Sequence, residues 1–186
     1  MSSIYLLTKN KDKLNVAGKV FVRKGIEVKP LGFEDPEIQA DSSIEVASHA
    51  AMSAFKQYRR PLVREDHSFY LGELNFPGPY MSYMERSIPV DLLVPFLKSL
   101  DVRSGHFELA AAYVDKNGQL HKFSYQVPVD LDWTPKGSAA AGWATLMRIP
   151  GTSKVFSEYG RDERLDIWSK NYERIADLLL KPDPVS

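Results

Sequence analysis

Phe107 to Val114 and Leu120 to Val129 are two β-rich runs separated by five residues, Asp115-Lys116-Asn117-Gly118 and Gln119. So short a link, with Asn-Gly in it, is a strong signal for an antiparallel hairpin. The segments around it alternate short apolar runs with longer stretches of helical period. The order is therefore expected to be mixed α/β with a central antiparallel hairpin.

The first half sets the strand–helix rhythm. Ser3 to Leu7 reads as a buried strand, and Thr8-Lys9-Asn10 breaks it. Asn10 is a suitable N-cap for the next helix, and Asp12 in the first turn favours the helix dipole. Leu14, Ala17, Val20 and Phe21 form the helix's apolar face, Gly25 stops it, and Ile26 to Leu31 alternates as a second strand. Glu34 to Asp41 is an acidic loop. Ser42-Ser43-Ile44-Glu45 has the form of a capping box, and an alanine-rich helix is expected from there to about Tyr58. Pro61 to Arg64 reads as a third strand that ends in Glu65-Asp66, with the turn Pro77-Gly78-Pro79-Tyr80 following.

In the second half, Val90 to Leu100 is expected to be helical, Pro135 to Gly142 to be a small-residue loop, and Trp143 to Ile149 to be another strand. Trp168, Tyr172, Ile175 and Leu179 form the stripe of a C-terminal helix. There is no internal repeat, low-complexity block or linker, and residues 1–186 are expected to form a single domain.

Composition narrows the function classes. Lys and Arg balance Asp and Glu at 24 each, which argues against a broad nucleic-acid footprint. The chain has no cysteine, which excludes disulfides, thiolate metal sites and a cysteine nucleophile, and suits the reducing cytoplasm. No apolar run is long enough to span a bilayer, and the N-terminus lacks the pattern of a secretory signal.

Four constellations could carry chemistry. Thr8-x-Asn10-x-x-Lys13 lies at a strand-to-helix junction, where free backbone N–H groups attract phosphate and Lys13 adds charge; simple capping by Asn10 explains the same residues. Glu37, Glu65 and Asp66 supply oxygen ligands of the kind that magnesium prefers, although Glu37 also fits a solvated acidic loop. Pro77-Gly78-Pro79-Tyr80 is a turn that could shape a wall and present Tyr80. Trp143 could stack on a base, while Arg161, Arg164 and Lys170 could reach a carbonyl or phosphate; a core tryptophan and an exposed basic face are the simpler reading. The four histidines lack metal-ligand spacing, and there is no Walker pattern.

Taken in order, these segments resemble the inosine triphosphate pyrophosphatase family. Thr8-Lys9-Asn10-Lys11-Asp12-Lys13 looks like its T-G-N-x-x-K motif, with Lys9 where glycine is usual. Asp35-Pro36-Glu37-Ile38-Gln39 looks like D-L-P-E-x-Q, one residue shorter. Val63-Arg64-Glu65-Asp66-His67-Ser68 looks like V-E-D-T-[GS], and Pro77-Gly78-Pro79-Tyr80 matches P-G-x-Y. The resemblance implies a long mixed β-sheet with two lobes around a central cleft, a homodimer, and magnesium-dependent hydrolysis of a nucleoside triphosphate to its monophosphate and diphosphate. It implies that Glu37 and Asp66 hold the metal and that Asp66 positions or deprotonates the attacking water. It also implies that Lys13 binds the phosphates beside Thr8 and Asn10.

The departures fall on the base-recognition side. Where the family has F-G-[WY]-D-P-x-F, this chain has Ala141-Gly142-Trp143-Ala144-Thr145-Leu146-Met147. Where it has K-N-x-x-S-H-R, this chain has Arg164-Leu165-Asp166-Ile167-Trp168-Ser169-Lys170. A site that reads a base by hydrogen bonds loses selectivity when those groups go. Two readings follow: a divergent pyrophosphatase with changed base preference, or a catalytically inactive nucleotide-binding protein that retains the fold.

Overall fold

Strand β1 (Ser3–Leu7) leads into helix α1 (Lys11–Arg23), and the junction is closed by one side chain. Asn10 Oδ1 accepts hydrogen bonds from the backbone N–H groups of Asp12 (2.8 Å) and Lys13 (3.3 Å). Helix α1 buries Val16, Ala17, Val20 and Phe21, and Gly25, at φ 73°, turns the chain back. Strand β2 (Glu27–Leu31) then runs parallel to β1, from Ser3 opposite Glu27 to Leu7 opposite Leu31. The computed structural model from which this fold is described covers residues 3–34, 36, 38–160, 162–163 and 165–180.

Helix α2 (Ser43–Tyr58) packs through alanines: Ala47, Ala51 and Ala54 are all fully buried. The expected capping box does not form. Ser42 is the N-cap, but its side chain makes no cap bond; its main-chain carbonyl accepts from the N–H groups of Glu45 and Val46.

Strand β3 (Leu62–Leu71) corrects a second expectation. It does not end at Glu65-Asp66, which lie in its middle. The residues that follow are strand formers, with Phe69, Tyr70 and Leu71 buried, and they continue the pleat. The Pro-Gly motif is likewise more than a turn, since strand β4 (Pro77–Gly78) pairs antiparallel with Tyr70 and Phe69.

The hairpin of β5 (Ser104–Val114) and β6 (Leu120–Leu131) forms as expected. Asp115 Oδ1 accepts from the N–H groups of Asn117 and Gln119, and Gly118 takes φ 83°. With β7 (Met147–Arg148), the described residues form a seven-stranded sheet in the order β2-β1-β3-β5-β6-β7, with β4 beside β3. It is mixed: β1 pairs in parallel with β2 and β3, while β7 is antiparallel to β6. The expected α/β fold with a long mixed sheet is thus observed.

The chain divides into two compact units. The first comprises Met1–Asp66, Leu109–Tyr125 and Leu165–Ser186; the second comprises His67–Glu108 and Gln126–Arg164. In the first, strand alternation feeds two cores. Ile4, Leu6, Val63, Ala111 and Tyr113 pack with α1 and with helix α6 (Lys170–Leu179). Leu7, Leu62, Ala112 and Val114 pack with α2. Tyr172 and Ile175 of the predicted C-terminal stripe are buried on α6, whereas Trp168 belongs to a separate short helix, α5 (Leu165–Trp168).

In the second unit, helix α3 (Met81–Ser87) follows the Pro-Gly strand, and helix α4 (Val90–Ser99) buries Leu93 and Leu97. The predicted strand over Trp143 to Ile149 shrinks to β7. Ala139–Thr145 winds instead into a 3₁₀ helix broken at Gly142, whose φ of 57° suits glycine. Among the described residues, no helix is long and apolar enough to cross a membrane.

Candidate active site

The turn between β1 and α1 is built by the side chains of its own motif. Thr8 Oγ1 accepts from the Asn10 N–H (3.0 Å), and Asn10 Oδ1 caps α1. Both oxygens are therefore used in shaping the turn. What these side chains can still donate is the Thr8 hydroxyl proton and the Asn10 amide protons. One turn into the helix, Lys13 Nζ donates to the main-chain carbonyl of Glu65 at 2.9 Å. That bond brings the lysine of the first motif onto β3 at the residue next to Asp66.

The two adjacent acids of β3 have different surroundings, because neighbours in a strand face opposite ways. Glu65 is 2% exposed and turns toward the α1/α6 core, where its Oε2 accepts from the Tyr172 hydroxyl at 2.7 Å. Burial, and then the Glu65 carboxylate, push the Tyr172 phenol well above its usual 10.0, so it stays protonated and donates. Asp66 is half-buried on the other face. Glu65 is thus held inside, leaving Asp66 as the carboxylate of the pair that can meet a ligand.

Glu37 and Arg164 lie outside the described residues. Among the described residues, no group of three or more His, Asp or Glu side chains could hold a metal ion. Magnesium does not require one, since it takes one or two carboxylates, keeps several waters and completes its shell with substrate phosphates. Asp66 has the hard oxygen and the exposure for that arrangement.

The base-side expectations fare differently. Trp143 is fully buried in the second unit. Its backbone N–H donates to Glu85 Oε1 at 3.0 Å, and its indole N–H to the Ile88 carbonyl at 2.7 Å. It is a core residue and offers no exposed ring for stacking, which corrects its assignment as a base platform. Lys170, at the start of α6, is half-buried and lies 3.6 Å from Glu173; Ser169, which is buried, donates to the same carboxylate at 2.8 Å.

Reading the sequence missed the pairing of Glu65 with Tyr172. Its signal was present but divided: an acid on the inward phase of a strand needs a partner, and a tyrosine in an apolar helical stripe carries one. The Glu85 contact to Trp143 left no comparable trace, because it joins two loop-flanking segments without a pattern.

The profile of the Ham1 family matches residues 4–172. The dITP/XTP pyrophosphatase of Ignicoccus hospitalis is 32% identical over 177 residues, covering 93% of this chain and 94% of its own. That of Thermococcus kodakarensis is 31% identical over 159 residues, covering 85% of each. The structure of a HAM1 protein from Coxiella burnetii superposes with a TM-score of 0.79 at 21% identity, over 96% of this chain and 98% of that one, a likeness of fold. A profile that runs from β1 to Tyr172, with relatives above 30% identity along most of the chain, establishes that this protein belongs to the Ham1 family.

Proposed function

We propose that this protein is a nucleoside triphosphate pyrophosphatase. Water attacks the α-phosphorus, the bond to the β-phosphate oxygen breaks, and the products are a nucleoside monophosphate and diphosphate. The observation that carries the proposal is the junction of Lys13 with Glu65-Asp66, in a family whose relatives are named dITP/XTP pyrophosphatases. Phosphoryl transfer asks a protein mainly for positioning and charge stabilisation. Lys13 offsets charge on the phosphates. The Thr8–Asn10 turn aims its remaining donors and the start of α1 at them. Asp66 accepts a proton from the attacking water or fixes its direction.

Asp66, together with Glu37, would hold magnesium, which supplies charge neutralisation and substrate orientation when bound. Arg164 and Lys170 stand where the family carries basic residues, and we assign them to substrate binding on that ground. The base preference differs from that of the relatives, because Ala141 and Ala144 replace the aromatic and acidic positions of the family pattern and Trp143 is buried. The protein also acts as a homodimer in this reading. Tyr80, Tyr83, Leu92 and Phe96 of the second unit are 41–64% exposed, a set of large apolar side chains that suits a partner surface. Light scattering in solution should then give twice the chain mass.

The same alanines favour a second reading, binding without turnover. Isotopically labelled water separates the two. A pyrophosphatase places the solvent oxygen on the nucleoside monophosphate. Label on the diphosphate would refute attack at the α-phosphorus. Ligand-dependent thermal stabilisation without any product would favour the binding protein.

A further inference from the structure

A cleft of about 700 Å³ opens in the second unit, and every residue that lines it belongs to that unit. Pockets for small molecules run from about 300 to 1,000 Å³, with apolar walls and a few polar groups that fix the ligand. This cleft has that make-up. Val90, Val94 and Pro95 of α4 form apolar wall, as do Pro135, Ala139 and Ala140 around the start of the broken 3₁₀ helix. Trp133 adds an indole, and Glu85 of α3 and Asp91 of α4 add two carboxylates.

The polar lining has one chemical sense. Two of its side chains carry hydrogen-bond donors, and both are spent. Trp133 gives its indole N–H to the Val102 carbonyl at 3.0 Å, and the Thr145 hydroxyl donates to the Gly142 carbonyl at 2.7 Å. Acceptor capacity remains. Glu85 Oε1 takes the Trp143 N–H at 3.0 Å, which uses only part of what a carboxylate can accept. Pro95 has no N–H to give the Asp91 carbonyl one turn back in α4. No lysine or arginine lines the cleft. Arg103, 3.7 Å from the centre of the Trp133 ring, is offset by Asp101 at 2.9 Å, and Lys136, next to Pro135, by Asp132 at 3.1 Å.

We propose that this cleft binds a small organic cation, an ammonium group carried on an apolar aromatic body. The ammonium donates to the Glu85 carboxylate, and Asp91 adds attraction from the more exposed side. The body lies on the valine, proline and alanine side chains and against the Trp133 indole, whose π-system favours a cation nearby. The occupant thereby meets the carboxylate that holds the Ala139–Thr145 segment through the Trp143 N–H. This site goes beyond the pyrophosphatase reading and does not depend on it.

The test is calorimetric titration of phenethylammonium into the intact protein and into E85Q, D91N and A140W, with melting temperatures taken in parallel. Its neutral counterpart 2-phenylethanol and its anionic counterpart 3-phenylpropanoate are titrated beside it. E85Q keeps an acceptor for the Trp143 N–H, and Ala140 is exposed, so both variants should stay folded while one removes the charge and the other fills the cleft. Phenethylammonium should bind the wild type, about 10-fold more weakly in E85Q and about 3-fold more weakly in D91N, the scales of a charge-assisted and of an exposed interaction. A140W should abolish binding, and the neutral and anionic counterparts should bind more weakly than the cation. Equal binding of 2-phenylethanol and phenethylammonium would overturn the proposal. So would wild-type affinity in folded E85Q or A140W, or no binding of the cation at millimolar concentration.

Discussion

The turn and strand of the first unit and the Ala139–Thr145 segment of the second differ in how they relate to the family pattern. In the first unit, Thr8, Asn10, Lys13 and Asp66 keep the residue types of the pattern, and hydrogen bonds link Thr8 to Asn10, Asn10 to Lys13 and Lys13 to the carbonyl of Glu65, next to Asp66. In the second, the aromatic and acidic positions are Ala141 and Ala144, and Trp143 has withdrawn into the core. The lesson is that the two tasks of such an enzyme can separate. Phosphate chemistry needs a charge and an aimed carboxylate whatever the base, whereas base reading rests on hydrogen bonds that another specificity can discard.

Substitutions can break that comparison, and the largest effect belongs to the first unit. Asp66→Asn should lower kcat by about 100- to 10,000-fold, in line with the loss of a general base, while circular dichroism and Tm stay unchanged. A near-wild-type rate would remove Asp66 from the chemistry. Lys13→Met should cost about 10- to 100-fold in kcat/KM, the scale of one charge-assisted hydrogen bond. An unchanged value would leave Lys13 as a structural tie to Glu65.

Two further variants sharpen the contrast through stability. In the second unit, Gly142→Ala would place a Cβ 2.6 Å from Glu85 Oε1 at a φ of 57°. It should lower stability by about 1–3 kcal/mol in denaturant melts and shift the ranking of bases without moving the cleavage position. In the first unit, Tyr172→Phe strips the buried Glu65 carboxylate of its donor and should cost about 1–3 kcal/mol. If the variant is as stable as wild type, the pair does not hold α6 to β3.

The smallest effect is a pH dependence outside the working range. Tyr113 is pushed up to about 12, first by burial and then by the charge of Asp115, and Tyr172 is raised well above 10.0. A group whose folded pKa is raised keeps its proton more tightly when folded. Its stability contribution is present below about pH 10 and is lost as pH climbs through 12. Tyrosinate absorbance should therefore show Tyr113 and Tyr172 ionising only above pH 10, together with unfolding. Ionisation of both near pH 10 in folded protein would contradict it.

Local chemistry was the part most legible in the sequence. Asn10 followed by helical period specified its cap, and Asp115-Lys116-Asn117-Gly118 specified its hairpin, because each is decided by neighbours within four residues. What failed was decided at a distance. Ser42 looked like the start of a capping box, yet its carbonyl serves α2 and its hydroxyl does not. Glu65-Asp66 looked like the end of a strand, because a carboxylate in mid-strand is costly until Tyr172 arrives from α6 to meet it. Trp143 carried two meanings, platform or core, and only the contacts with Glu85 and Ile88 chose between them.

The most direct test of the account is diphosphate release by the purified protein with magnesium, across ITP, XTP, dUTP and the standard triphosphates, in wild type and Asp66→Asn. The account predicts release from one or a few of these, lost in the variant, with a base ranking unlike that of the dITP/XTP pyrophosphatases. No release across the panel from folded, nucleotide-binding protein would contradict it and leave a binding protein on this fold.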